Sequence, residues 1–207
     1  MKQLRYAIVA LLLLGGMSVH AQQRFDATVF GGITLNQIDG DDAGAYGHMG
    51  LRAGVGTSFY FGWDERTPWR MVVELAFSQK GSRISNNFLE RTISLNYVEI
   101  PVMMSYTMLD RRLRLAAGVA PAVLVGARVN DAGARNEAVE GVFKNFDWCP
   151  VTLAARYIFT DNFAVEARFQ TSLLSASEPT AGSAYRIFRD NKGCFNRMIS
   201  LGLAYCF

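Results

Sequence analysis

Beyond its first 21 residues the 207-residue chain has no apolar stretch long enough to cross a membrane as a helix. Its longest uncharged run, Leu115–Ala127, is interrupted by Pro121, and a spanning helix needs ~17–25 apolar residues. The chain also lacks a large excess of either charge, with 21 Lys plus Arg against 18 Asp plus Glu. Removing Lys2 and Arg5 with a leader leaves 19 basic residues against 18 acidic ones. That balance is too even for a groove tracking phosphates, so nucleic acid is excluded as a partner. Histidine is scarce: His48 is the only one after residue 21. Asp41, Asp42 and Ser82 could lie near it at a rim, but no nucleophile motif accompanies them, and no catalytic residue is assigned. The three cysteines include no CxxC pair, which leaves no zinc or dithiol redox motif. Asp39-Gly40-Asp41-Asp42 lacks the rest of a calcium loop, and Gly54-Val55-Gly56 lacks the third glycine of a dinucleotide fingerprint. No metal and no cofactor is expected.

What is present is an exported, folded chain. Residues 1–21 carry a basic start, an apolar stretch from Tyr6 to Leu14, the breaker Gly15-Gly16, and Val19-His20-Ala21 before Gln22. This is the pattern of a cleaved signal peptide, and it leaves residues 22–207 as one domain. Half of the residues are apolar and 19% are charged, which is inconsistent with disorder. Without helices, the way to cross a membrane is a closed β-barrel.

Period-two alternation argues for that barrel. In the last segment Ile199, Leu201, Leu203, Tyr205 and Phe207 alternate with Ser200, Gly202, Ala204 and Cys206. The same alternation recurs over residues 51–61, 69–78, 97–108, 113–125, 151–159 and 163–170, and a first strand is placed near Asp26 to Leu35. The count is eight, which predicts an all-β, eight-stranded, antiparallel up-and-down transmembrane barrel. Connections near 36–47, 82–91, 128–144 and 175–195 are long, whereas those near 62–68, 110–111 and 160–162 are short. Long extracellular loops and short periplasmic turns sort in this way in outer-membrane barrels. A lipocalin-like soluble barrel would need a water-compatible outer face, which these strands lack.

The alternation turns Arg52, Arg70, Glu74, Glu99, Arg114, Arg156, Glu166 and Arg168 inward. Buried charges must pair, and eight strands leave room only for side chains. A salt-bridged plug is therefore favoured over a gated polar path. Three cysteines in an exported chain leave one unpaired. Cys149 and Cys194 both fall near the extracellular rim and form the candidate disulfide, with Cys206 free at the periplasmic end. For Cys149 this requires a bulge at Pro150, because alternation alone turns it outward.

The segments Glu74-Leu75-Ala76-Phe77-Ser78-Gln79-Lys80-Gly81, Leu95-Asn96-Tyr97-Val98-Glu99-Ile100-Pro101 and Gly202-Leu203-Ala204-Tyr205-Cys206-Phe207 resemble the PorT-type outer-membrane β-barrel family of Gram-negative bacteria. Phe77 stands where that family usually has Tyr, and Ser172 where Gly is usual. The resemblance implies an eight-stranded barrel whose namesake is tied to type IX secretion. The C-terminal aromatic series Ile199, Leu201, Leu203, Tyr205 and Phe207 resembles the signal read by the barrel-assembly machinery. The expected partners are therefore outer-membrane lipids, that machinery and other envelope or secretion proteins. The expected role is a non-enzymatic structural or interaction protein, with a narrow channel and a rim-located lipid-modifying enzyme as its rivals. The two longest loops, with their arginines and aromatics, are the expected working surface.

Overall fold

The computed structural model describes residues 25–39, 46–60, 67–86, 89–131, 134–135, 143–174, 176 and 195–207. The expected signal peptide lies outside these residues. The described elements are β1 (Phe25–Asp39), β2 (His48–Tyr60), β3 (Trp69–Asn86), β4 (Leu89–Glu99), β5 (Val102–Met108), β6 (Leu113–Asp131), β7 (Ala134–Arg135), β8 (Phe146–Ile158), β9 (Phe163–Thr171) and β10 (Phe195–Cys206). All pairings are antiparallel. β4 and β5 together form one wall segment between β3 and β6, and β7 is a short flap on β6. The ring therefore has eight strands, closed where β1 meets β10 in register from Thr28↔Cys206 to Asp39↔Phe195.

The break between β4 and β5 has a local cause. Pro101 has no N–H to give to the ladder, and its neighbour Ile100 instead donates to the Pro121 carbonyl at 2.9 Å. The Pro101 carbonyl still accepts from Glu74 N at 2.9 Å. The wall stays continuous in hydrogen bonding although Ile100 and Pro101 drop out of strand geometry.

Several strands run further than the alternating segments suggested. β1 continues to Asp39, and the stretch 82–91, expected to be a loop, is mostly paired strand, with Ser82↔Ile93 and Arg83↔Thr92 in register. The reason is a reversal of polarity at one level around the ring. Below that level the outward side chains are Leu35, Phe77, Val98, Val125 and Ile199; above it they are Gln37, Gln79, Asn96, Arg128 and Arg197. Cross-strand partners change together, since Leu35 faces Ile199, Gln37 faces Arg197, Phe77 faces Val98 and Gln79 faces Asn96. Inside, the pattern is the opposite. Above the level, Ile38, Ile93, Leu95, Tyr97 and Val129 are fully buried in an apolar cluster with Phe143 and Ala176. The lower part thus presents hydrocarbon to lipid, and the upper part is a water-facing extension with a core of its own.

At the opposite end a belt of rings marks the second boundary. Phe25 packs on Phe59, Trp69 on Tyr106, and Phe163 on both Phe159 and Tyr205, with Phe207 against Tyr205. Aromatic girdles occupy this position at membrane interfaces. The short turns at 109–112 and 159–162 lie at this end, the periplasmic one in barrels of this kind.

The seam between β1 and β10 depends on glycine. A Cβ on Gly32 would lie 2.4 Å from the Leu201 carbonyl oxygen, whereas a Cβ on its neighbour Gly31 would meet nothing within 4 Å. Gly32→Val should therefore strongly lower the amount of folded, heat-modifiable barrel on gels, and Gly31→Val should leave it near wild type. Equal folded yields for the two variants would contradict this account of closure.

Candidate functional site

The lumen is filled by three layers of charge. In the middle layer, Glu74 from β3 and Glu166 from β9 face Arg52 from β2, Arg156 from β8 and Arg168 from β9. Glu74 meets Arg52 at 2.8 Å, Arg168 at 2.8 Å and Arg156 at 3.3 Å. Glu166 meets Arg156 at 2.5 Å, Arg168 at 2.9 Å and Arg52 at 3.7 Å. All five side chains are buried. The Arg52 guanidinium also lies over the Phe30 ring, 4.4 Å from its centroid. Such close pairs offset the desolvation of buried ions only when the remaining donors and lone pairs are satisfied. Here three of the four glutamate oxygens accept two hydrogen bonds each, and Glu74 Oε2 accepts from Arg52 with Arg168 2.8 Å away, while Arg52 Nε and Arg168 Nη1 have no partner among the described residues.

The lower layer, toward the termini, joins Arg70 and Arg114 to Asp26, with Arg114 at 3.4 Å. Arg70 also donates to Tyr60 Oη at 2.5 Å and stacks on its ring. The upper layer centres on Lys80, whose Nζ lies 2.8 Å from Glu99, 3.4 Å from Asp147 and 3.3 Å from Cys149 Sγ. Ser78 donates to Glu99 at 2.8 Å, and Asn196 to Asp147 at 3.0 Å; Ser172 also donates to Asp147. The apolar cluster of Ile38, Ile93, Leu95, Tyr97 and Val129 lies above.

The structure brings Arg52, Glu74, Arg156, Glu166 and Arg168 into one cluster, and places Arg70 and Arg114 below it and Glu99 above. Three further charges complete the layers: Asp26, Lys80 and Asp147. Lys80 and Asp26 were readable, because period-two alternation carried two residues past Ser78, or started at Asp26, turns both inward. Asp147 follows only through the bulge at Pro150, because alternation alone turns it outward. Between Gly118 and Ala120 of β6 the register to β8 shifts, so that Gly118 faces Thr152 and Ala120 faces Cys149. That shift turns Asp147 and Cys149 into the lumen. The bulge at Pro150 that the expected Cys149–Cys194 disulfide required is present, and the Cys149 thiol stands free, buried and beside Lys80. Cys194 lies outside the described residues. Cys206 is also free and accepts from Thr28 Oγ1 across the closing seam.

His48 is nearly buried, and its Nε2 is 2.9 Å from Ser94 Oγ. No described carboxylate orients it, and Asp41 and Asp42 lie outside the described residues. The terminal series is displayed as alternation requires, with Ile199, Leu201, Leu203, Tyr205 and Phe207 on the outer face of the barrel.

The lumen ties opposite walls together, and this generates a stability prediction. Glu74→Ala removes the acceptor of three buried arginines, so unfolding should become easier by roughly 3–5 kcal/mol. Glu90→Ala removes only an exposed pair with Arg83 at 3.2 Å, for which about 0–1 kcal/mol is expected. Denaturant midpoints of the two purified barrels measure the contrast, and matching midpoints would refute it.

The sequence matches the family described as outer membrane protein beta-barrel domain over residues 20–178. No curated protein sequence matches it. Among solved structures, the fold is similar to Ail, the attachment invasion locus protein of Yersinia pestis, in complex with the heparin analogue sucrose octasulfate. The TM-score is 0.50 at 10% identity, covering 89% of this chain and 100% of that one. Neisserial surface protein A is similar at a TM-score of 0.45 and 10% identity, over 88% of this chain and 97% of that one. With a family match over most of its length and a closed ring of eight strands, the chain belongs to the outer membrane protein beta-barrel domain family and is an integral protein of the bacterial outer membrane.

Proposed function

We propose that the protein is a non-catalytic interaction platform of the outer membrane, accessory to protein secretion as its PorT-type motifs imply. The observation that carries this reading is the filled lumen. Three layers of paired charge lie beneath an apolar cap, so a solute would have to break buried ion pairs to pass. A wall of Leu, Val, Ile and Phe faces lipid, and recognition is left to the rim, where the strands rise above the polarity reversal. The rim is mixed in charge and internally paired: Arg91 binds Asp131 with two bonds, Nε at 2.5 Å and Nη2 at 2.9 Å, and Arg197 binds Asp39 at 2.8 Å. This pairing favours a protein partner over a sulfated polyanion of the kind seen on the Yersinia relative.

The same reading includes export by a cleaved leader and recognition of the terminal aromatic by the assembly machinery. Trimming residues 136–142 and 177–194 while retaining the strands should leave a folded barrel that fails to complement a deletion strain scored for secreted proteins and envelope integrity. Full complementation by the trimmed protein, or steady conductance of the wild type in planar bilayers, would reject the platform reading. Phe207→Ser should lower the amount of assembled protein in the outer membrane several-fold without changing the properties of each folded molecule. Unchanged levels would remove the assembly role from Phe207.

A further inference from the structure

A small cavity of about 20 Å³ separates the lower and middle charge layers, lined among others by Ser58, Ser105, Arg114, Arg156, Glu74 and Glu166. That is room for one water-sized occupant. Two donors at its wall have no partner: Ser58 Oγ, on a side chain only 4% exposed, and Arg114 Nε. Ser105 is already committed, donating to the Arg70 carbonyl.

The carboxylate acceptors around the cavity are already engaged. Glu74 Oε1 takes bonds from Arg156 and Arg168, and its Oε2 is met by Arg52 and Arg168. Glu166 Oε1 takes two bonds from Arg168, and its Oε2 two from Arg156. A carboxylate oxygen has about two lone-pair sites, so a water molecule here would find donors but only the Ser58 and Ser105 hydroxyl oxygens to receive its protons. Charge points the same way. Among the described residues of these two layers, five arginines face three carboxylates, Asp26, Glu74 and Glu166. The upper layer, with Lys80 between Glu99 and Asp147, offsets only one of the two surplus positive charges, and from further away.

We infer that this cavity binds one monatomic anion of the halide class, chloride in the cell envelope, held by Ser58 Oγ, Arg114 Nε and the positive field between the two layers. An acceptor-only occupant satisfies the orphan donors, asks for no acceptor, and brings the described lumen charges to neutrality. The site stands apart from whatever the rim binds.

The test uses the purified, folded full-length barrel. Crystals grown in bromide should show an anomalous peak within hydrogen-bonding distance of Ser58 Oγ and Arg114 Nε. At matched ionic strength and pH, the unfolding midpoint should be higher in chloride or bromide than in gluconate, because a ligand that binds only the folded state stabilises it. Ser58→Val, which fills the cavity and removes a donor, should abolish that difference. Absence of a bromide peak in the cavity overturns the inference even if halides shift the midpoint, because the ion would then act elsewhere. Equal midpoints in chloride and gluconate overturn it as well. The wild-type crystal decides the matter should Ser58→Val fail to fold.

Discussion

Everything inside the barrel answers to one constraint: charges that cannot reach water must neutralise one another across a space only two side chains wide. Glu74 is where this is most concentrated. From a single position on β3 it receives arginines projected by β2, β8 and β9, so one carboxylate couples the second strand of the chain to the last third of it. Sheet hydrogen bonds link each strand only to its neighbours. The glutamate–arginine contacts act as spokes across the ring, which is what an isolated sheet lacks and what makes the cylinder resist flattening.

The division of labour between layers follows from the same constraint. Arginine fills the middle and lower layers, where its planar fork can serve two carboxylates at once. Lysine appears only in the upper layer, as a point charge among Glu99, Asp147, Cys149 and the Tyr97 ring. Above it, charge gives way to aliphatic side chains. The lumen thus grades from ionic to apolar along its axis among the described residues.

Much of this was legible in the sequence because the strand period is two and one face meets lipid. The inward assignment of Arg52, Glu74, Arg156, Glu166 and Arg168 needed only parity, and parity is preserved over an unbroken strand. It fails wherever a residue is inserted. An extra residue in β8 opposite Val119 and another in β6 opposite Asn96 and Tyr97 reverse the face of everything beyond them on the strand that carries them. Parity alone therefore leaves Asp147 facing outward, and it turns Cys149 inward only with the bulge at Pro150 that the expected disulfide already required. Strand ends were missed for a different reason. Alternation marks outward apolar residues, and above the lipid the apolar side chains are on the inside, as at Ile93 and Leu95.

That reversal of polarity also fixes how deep the protein can sit. With Gln37, Gln79, Asn96, Arg128 and Arg197 forming a polar collar at one height and the aromatic belt at the other end, sliding either way would drag polar groups into hydrocarbon or expose rings to water. The spacing between collar and belt is therefore a ruler for the bilayer, and a mismatch would be met by deforming the surrounding lipid, because the salt-bridged cylinder resists tilting its own wall. Local membrane thickness, as much as any partner, is then something this protein imposes on its surroundings.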